Sequence, residues 1–361
     1  MFRFSLNYLN LLSIYSDIRV IRLLFLGFSS GLPILLIFST LSLWLKSAGI
    51  DKSTITLFSW AGLTYSFKFL WTPLLDRLSI PYFSKRFGHR KSWLIMAQIF
   101  LVIAILNVSL IDPSVNLVLM ALSITLVGFT SATQDSIIDA YRIESAPSFL
   151  QTAMSSFYII GYRIGMVISG AGSLLIVSKL GGDTINYNVN SWQNTYLIMG
   201  LIQMTGILTC ILSPEPEIKR SLITKTNEKI KLLITFFFGI LTLILIYTYF
   251  PVIITENQIS KAFIALIKLS ISISGAILVF YLFIYFKLIE TKTITETFFS
   301  PFQYFFKRHK NIVIYLFLII GLYRIADIVM GVVANLFYSD LGYTLVEIAS
   351  YSKFWGLLAT I

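Results

Sequence analysis

The sequence has little of what soluble enzymes usually depend on. Only 12% of its 361 residues are charged, roughly half the fraction that a soluble globular protein carries. The single cysteine, Cys210, lies inside an apolar run, which excludes a disulfide framework and a cysteine metal site. The two histidines, His89 and His309, stand in basic stretches without a metal-ligand or nucleophile motif. These shortages argue against a metal centre and against an enzyme.

Apolar residues dominate the chain from end to end. They make up 57% of it, and the mean hydropathy is +0.82. The apolar runs are continuous and do not alternate as barrel strands would, so the fold class is all-α, a polytopic membrane helical bundle. The net charge of +11 is explained by basic loops beside a bilayer, and no nucleic acid partner is expected.

The lengths of the apolar runs predict nine complete spans and a truncated tenth. A span needs about 20 apolar residues. The spans are expected at 20–45, 54–75, 93–111, 115–140, 152–178, 195–213, 232–254, 262–286 and 312–339, and the tenth begins near residue 348. Residues 1–19 read as an interfacial segment that leads into the first span.

Basic residues predict the orientation of these spans. With a cytoplasmic N-terminus, 19 of the 28 Lys and Arg residues fall in cytoplasmic segments and 5 in segments on the opposite side. Because cytoplasmic loops are enriched in Lys and Arg, this asymmetry places the N-terminus inside.

The same pattern divides the chain into six parts. The interfacial segment 1–19 is followed by an N-terminal six-helix bundle over 20–213, a basic linker over 214–231, two extra transmembrane helices over 232–286, a cytoplasmic loop over 287–311, and the incomplete start of a second six-helix bundle over 312–361. The linker begins with "SPEPEIKR", whose two prolines interrupt the helical pattern.

Charged residues inside the spans are the candidate functional groups. Each costs about 2.5–3.5 kcal/mol at the centre of a bilayer, so such groups should face a cavity or one another. Lys68, Asp135 and Arg163 fall at similar depths on three predicted helices, where they line a solute cavity or proton path or else tie the helices together. The candidate substrate or proton pathway comprises Asp135, Asp139, Lys68, Arg163, Tyr162, Gln134, Arg324 and Asp327.

Two further patterns concern helix packing. Gly161 and Gly165 in the fifth predicted span have the spacing that lets two helix backbones approach closely. In the first span, "GFSSGLP" contains Gly27, Gly31 and Pro33 and predicts an interrupted helix.

Several motifs in a fixed order resemble one known family. They are "GFSSGLP", "KFLWTPLLDR", "SATQDSIIDAYR", "GYRIGMVISG", "WQNTYLIMG", "SPEP" and "DLGYTLVEIASYSKFWGLLATI". Together they resemble the AmpG family of muropeptide permeases, within the major facilitator superfamily. The loop that contains Asp76 and Arg77 is similar to the superfamily's gating loop.

The resemblance implies a major-facilitator-like fold in the bacterial inner membrane. It implies a proton-coupled permease that imports anhydro-muropeptides into the cytoplasm for recycling and uses no cofactor beyond the proton motive force. Because the chain stops within the second helix of the second half, a separately encoded C-terminal half is a further partner to expect. The alternatives are a major facilitator transporter for another anionic small molecule and a truncated, non-transporting remnant.

Overall fold

The computed structural model describes residues 14–183, 187–218, 222–223, 225–251, 258–310 and 312–356. These residues form helices joined by short connections, with no strand among them. Most of the predicted interfacial segment 1–19 lies outside the described residues, as does the end of the predicted tenth span.

Nine long or amphipathic helices organise the described residues. They are α1 Ile18–Ser47, α2 His89–Val108, α3 Leu117–Ser145, α4 Ser148–Lys179, α5 Val189–Leu212, α6 Thr226–Tyr249, α7 Gln258–Tyr285, α8 Ser300–His309 and α9 Ile312–Asp340. The shorter helical pieces are Lys52–Leu57, Phe58–Gly62, Leu63–Phe67, Lys68–Leu70, Thr72–Arg77, Phe83–Phe87, Thr291–Ile294, Thr295–Phe299, Leu345–Glu347 and Ile348–Trp355.

Seven helices in the described residues are long and apolar enough to cross a membrane: α1 to α7. The count of nine complete spans and a truncated tenth is therefore not confirmed. The clearest difference is the second predicted span, 54–75, which is a series of short α and 3₁₀ pieces rather than one helix. Pro73 lies in the first turn of Thr72–Arg77, where a missing N–H is tolerated, whereas inside a continuous helix it would remove a hydrogen bond.

The chain divides into two compact units. The first is drawn from Met1–Thr72, Ile80–Lys219 and Phe317–Ile361, and the second from Pro73–Ser79 and Arg220–Leu316. The first contains a hydrophobic core in which Trp44 of α1 stacks on Trp192 of α5, with 5.9 Å between ring centroids.

Glycines allow the backbones of α1 and α4 to approach each other closely in the first unit. A methyl group added at Gly27 or Gly31 of α1 would overlap the backbone carbonyl of Tyr158 or Tyr162 in α4. One added at Gly161 of α4 would overlap the backbone of Leu24 in α1. The predicted close packing is therefore found, and both helices contribute glycines to it.

Both of these helices contain a π-helical turn. In α1 it spans Leu36–Thr40 and follows Pro33, so the "GFSSGLP" stretch itself stays helical and the irregularity comes just after it. In α4 it spans Ile168–Gly172. The Thr40 hydroxyl donates to the Ser169 carbonyl at 2.9 Å, which joins the two turns.

One end of the first unit is fastened by ion pairs to α9. Lys46 and Lys52 contact the two carboxylate oxygens of Asp340 at 2.8 and 2.6 Å. Nearby, Asp51 caps Lys52–Leu57, and hydrogen bonds from the Ser53 hydroxyl and from Thr54 hold the pKa of its carboxyl at about 2.

Candidate functional site

Asp135 lies in the interior of the first unit, at the meeting of three helices. Its side chain is only 9% exposed. The Ser30 hydroxyl of α1 donates to its carboxylate, and the same hydroxyl lies 2.8 Å from the Tyr158 hydroxyl of α4. Asp135 is thus linked to both neighbouring helices through one serine.

The whole polar stretch of α3 around Asp135 is engaged by partners. The Tyr65 hydroxyl lies 2.9 Å from Ser131, the Trp71 indole donates to Thr133 at 3.0 Å, and Thr72 contacts Ser136 at 3.1 Å. These partners come from the segment of short helices, which places them against α3. The broken segment is therefore joined to α3 by three side-chain hydrogen bonds, in addition to those that Thr133 and Ser136 donate to backbone carbonyls of α3.

Gln134 belongs to a separate buried cluster with Ser29, Gln98 and Gln203. All four side chains are fully buried, and they come from α1, α2, α3 and α5. The Gln203 amide donates to Ser29 Oγ at 2.6 Å and to Gln98 Oε1 at 3.1 Å, while Gln134 donates to Ser29 Oγ at 3.3 Å. The cluster ties four helices together directly beside the Asp135 contacts.

The two predicted cations are not joined to Asp135 by ion pairs within the described residues. The Arg163 guanidinium has a 3.9 Å contact with the Met166 sulfur. Arg163 follows Tyr158 by five residues, so it points well around α4 from the tyrosine face. Lys68 is half-buried in the short turn Lys68–Leu70. The role of both in lining a pathway stays a prediction.

Of the remaining predicted pathway residues, Tyr162 lies beside the Asp135 contacts, whereas the others lie elsewhere or outside the described side chains. The Tyr162 ring lies 6.1 Å from that of Tyr158, which extends the aromatic face beside Ser30. Asp139 is exposed, one turn beyond Asp135 on α3. The side chains of Arg324 and Asp327 lie outside what the structure describes, so the predicted pair on α9 stays a prediction.

A second charged cluster lies at the end of α3. Arg90 at the start of α2 forms a two-point ion pair with Glu144, with contacts of 2.8 and 2.9 Å and side chains only 7% and 15% exposed. The Glu215 carboxylate accepts the backbone N–H groups of Arg90 and Lys91 at 3.0 and 2.8 Å. It thereby caps the first turn of α2, where a negative charge is favoured. The SPEP motif thus anchors the end of α5 to α2.

We expect Arg90→Met to lower the stability of the protein by about 3–5 kcal/mol, because it leaves Glu144 buried without its charged partner. Thermal unfolding in detergent micelles measures the loss. The double variant Arg90→Met/Glu144→Leu removes both charges and should recover most of it. A single variant that unfolds at the wild-type temperature would contradict the importance of this pair.

The predicted gating loop belongs to the second unit. Asp76 is exposed, and Arg77 contacts the Glu296 carboxylate at 3.2 Å and the Glu296 carbonyl at 3.1 Å. The Arg77 carbonyl accepts from the Ile223 N–H at 3.1 Å. The loop is thus tied both to the linker and to the short helical segment before α8.

Several residues of the site were missed by sequence reasoning. Ser29, Ser30, Gln98 and Gln203 carry the buried hydrogen bonds around Asp135 and Gln134. The sequence feature that could have identified them is an isolated glutamine, or a pair of serines, inside an otherwise apolar span. Buried polar side chains in a membrane span require partners, so such residues can be flagged from sequence alone.

Comparison with known proteins defines the class to which this arrangement belongs. The model of the Major Facilitator Superfamily matches residues 23–361. The chain therefore belongs to the major facilitator superfamily of membrane transporters. No solved structure matches it.

Within that superfamily the relatives identify the AmpG family, which confirms the resemblance seen in the motifs. "Putative transporter AmpG 4" of Rickettsia felis is 33% identical over 348 residues, 96% of this chain and 66% of the relative. "Anhydromuropeptide permease" of Escherichia coli is 37% identical over 205 residues, 57% of this chain and 39% of the relative. The chain thus spans just under two thirds of the length of the Rickettsia felis relative it matches.

Proposed function

We propose that the protein is a proton-coupled permease that imports cell-wall-derived anhydro-muropeptides across the bacterial inner membrane, with its N-terminus in the cytoplasm. Membership of the AmpG family and the printed name of the Escherichia coli relative support this cargo. The distribution of Lys and Arg supports the orientation. The observation that carries the proposal is Asp135, a carboxylate buried between α1, α3 and α4 and contacted by the Ser30 hydroxyl.

Asp135 has the properties that a proton carrier needs. A carboxylate in a membrane interior can take up a proton when its polar contacts rearrange, because the neutral form is the one that burial favours. Ser30 and Tyr158 are the contacts that would rearrange, since one serine hydroxyl serves both the carboxylate and the tyrosine. Movement of α1 relative to α4 would therefore change the hydrogen bond between Ser30 and the Asp135 carboxylate.

The cargo's chemistry fits the other predicted residues. A muropeptide carries sugar hydroxyls and peptide carboxylates, so its binding requires hydroxyl groups and cations. Tyr158 and Tyr162 present neighbouring phenol rings on one face of α4, and Arg163 supplies a cation on a different face of the same helix. In this proposal Lys68 and Arg163 contact the carboxylates, and Gln134 and Asp139 lie along the path.

Uptake by the purified chain in proteoliposomes tests the proposal. With an imposed pH gradient, we expect accumulation of a labelled anhydro-muropeptide that stops when an uncoupler removes the gradient. A nucleotide and an acyl thioester serve as alternative anionic cargoes. Accumulation of either alternative in preference to the muropeptide would overturn the cargo. The same assay with a C-terminal half from the Rickettsia felis relative tests whether a second polypeptide is needed.

A further inference from the structure

The predicted cytoplasmic loop 287–311 contains an amphipathic helix. A loop that only connected two spans would not need such a helix. Helix α8 begins with Ser300 and Pro301, which suits a helix start, and ends at His309. At 100° per residue, Phe302, Phe305 and Phe306 fall on one face of α8, and Gln303, Lys307 and the exposed Tyr304 fall on the other. A phenyl face opposite a face with charged and hydrogen-bonding groups is typical of a helix that lies at a membrane surface.

The aromatic face of α8 remains open after all of its contacts within the chain. Phe302, Phe305 and Phe306 are 42%, 36% and 48% exposed. Three partly exposed phenyl rings on a ten-residue helix form an apolar strip that water does not favour. The exposed part of the strip is apolar surface that a lipid environment would cover.

Both ends of α8 lie close to long apolar helices. Before it, the Phe298 ring packs against Phe280 of α7 at 5.3 Å and against Phe236 of α6 at 6.1 Å. After it, Lys310 adopts a φ of 46° and ends the helix. Helix α9 begins two residues later with an apolar stretch whose Ile312 is 62% exposed. The segment that leads into α8 thus packs against α6 and α7, two helices long and apolar enough to cross a membrane.

Basic residues are concentrated at the same end of α8. Lys307 and Arg308 occupy its last turn, and Lys310 follows directly. All three are exposed, and none forms an ion pair within 4.0 Å with an acid in the described residues. Adjacent Lys and Arg residues next to a span attract anionic lipid headgroups, each contributing a factor of about five in partition.

We propose that α8 is a surface-bound anchor for anionic phospholipid: its phenyl strip enters the headgroup–acyl boundary, and Lys307, Arg308 and Lys310 bind lipid phosphates. The polar face, which carries Gln303, faces water. Anionic lipid is the favoured occupant because the charge is complementary and because α7 and α9 place the helix at the bilayer surface.

Fluorescence quenching of the full chain in liposomes tests the anchor. Cys210, which is fully buried, is replaced by serine, and an environment-sensitive label is attached at Phe302→Cys or at Gln303→Cys. We expect acyl-chain nitroxide lipids to quench the label at 302 and aqueous iodide to quench the label at 303. Brominated phosphatidylglycerol should quench the label at 302 with an association constant above that of brominated phosphatidylcholine by about fivefold for each basic residue that contacts a lipid phosphate.

Two charge variants separate lipid binding from general electrostatics. Lys307→Gln/Arg308→Gln/Lys310→Gln should abolish the preference for phosphatidylglycerol. The matched variant Lys85→Gln/Arg86→Gln/Lys179→Gln loses the same charge at exposed positions elsewhere and should keep it. Equal iodide quenching at 302 and 303, protection of 302 from both quenchers, or a preference that survives the first triple variant would each overturn the proposal. The second outcome would indicate a protein surface as the occupant.

Discussion

Asp135→Asn is expected to abolish proton-driven accumulation of muropeptide while leaving the protein folded. Asparagine keeps an oxygen that can accept the Ser30 hydrogen bond, so the change removes the charge and the proton site but little of the packing. A loss of about tenfold or more in initial uptake corresponds to about 1.4 kcal/mol or more of lost stabilisation. Proteoliposome uptake with and without a pH gradient measures it.

Two companion variants make this result specific. Ser30→Ala removes the hydroxyl that joins Asp135 to Tyr158, and we expect a partial loss of coupled uptake. Asp139→Asn changes an exposed carboxylate on the same helix, and its effect should be smaller than that of Asp135→Asn. Wild-type accumulation in Asp135→Asn, or an equal loss in both aspartate variants, would remove Asp135 as the proton carrier.

Gly161→Ala is expected to lower the stability of the protein strongly, although it adds only one methyl group. The added methyl would overlap the backbone of Leu24 in α1, and neither backbone can move aside without separating the two helices. Overpacking of this kind costs about 1–3 kcal/mol, which outweighs the gain of about 1 kcal/mol from replacing glycine in a helix. The apparent unfolding temperature in micelles should therefore fall.

Gly172→Ala is the matched control in the same helix. There the added methyl meets only the Ile168 side chain, at 3.9 Å. This variant should unfold at the wild-type temperature or above it. If both alanine variants behaved alike, close approach of α1 and α4 would not be what stabilises the first unit.

The positions of the spans could be predicted from sequence because the apolar runs are long. The predicted span 115–140 corresponds to α3, Leu117–Ser145, and the predicted span 93–111 corresponds to α2, His89–Val108. The length of an apolar run predicts a span because a helix needs a minimum number of residues to cross the hydrocarbon core of a bilayer. The span predicted at 54–75 is instead a series of short helical pieces, because hydropathy does not distinguish one continuous helix from several short α and 3₁₀ turns of the same apolar content.

The polar contacts of the site were harder to predict. Asp135 stands out in an apolar run, but its partner Ser30 comes from α1, about a hundred residues earlier in the chain. Depth along a helix suggested that Lys68 and Arg163 would meet Asp135, yet depth says nothing about the direction in which a side chain points around its helix. Rotation is set by packing, here by the glycines that place α1 against α4.

The paired π turns of α1 and α4 have a dynamic consequence. A π turn accommodates an extra residue, widens the helix locally and concentrates bending at one level. Since Leu36–Thr40 and Ile168–Gly172 are joined through Thr40 and Ser169, the segments beyond them should swing as one body about a shared pivot. The α1–α4 pair would then bend at this one level, with the interlocked glycines fixing the segments before the π turns and the Lys46–Asp340 ion pair limiting how far the end of α1 can tilt.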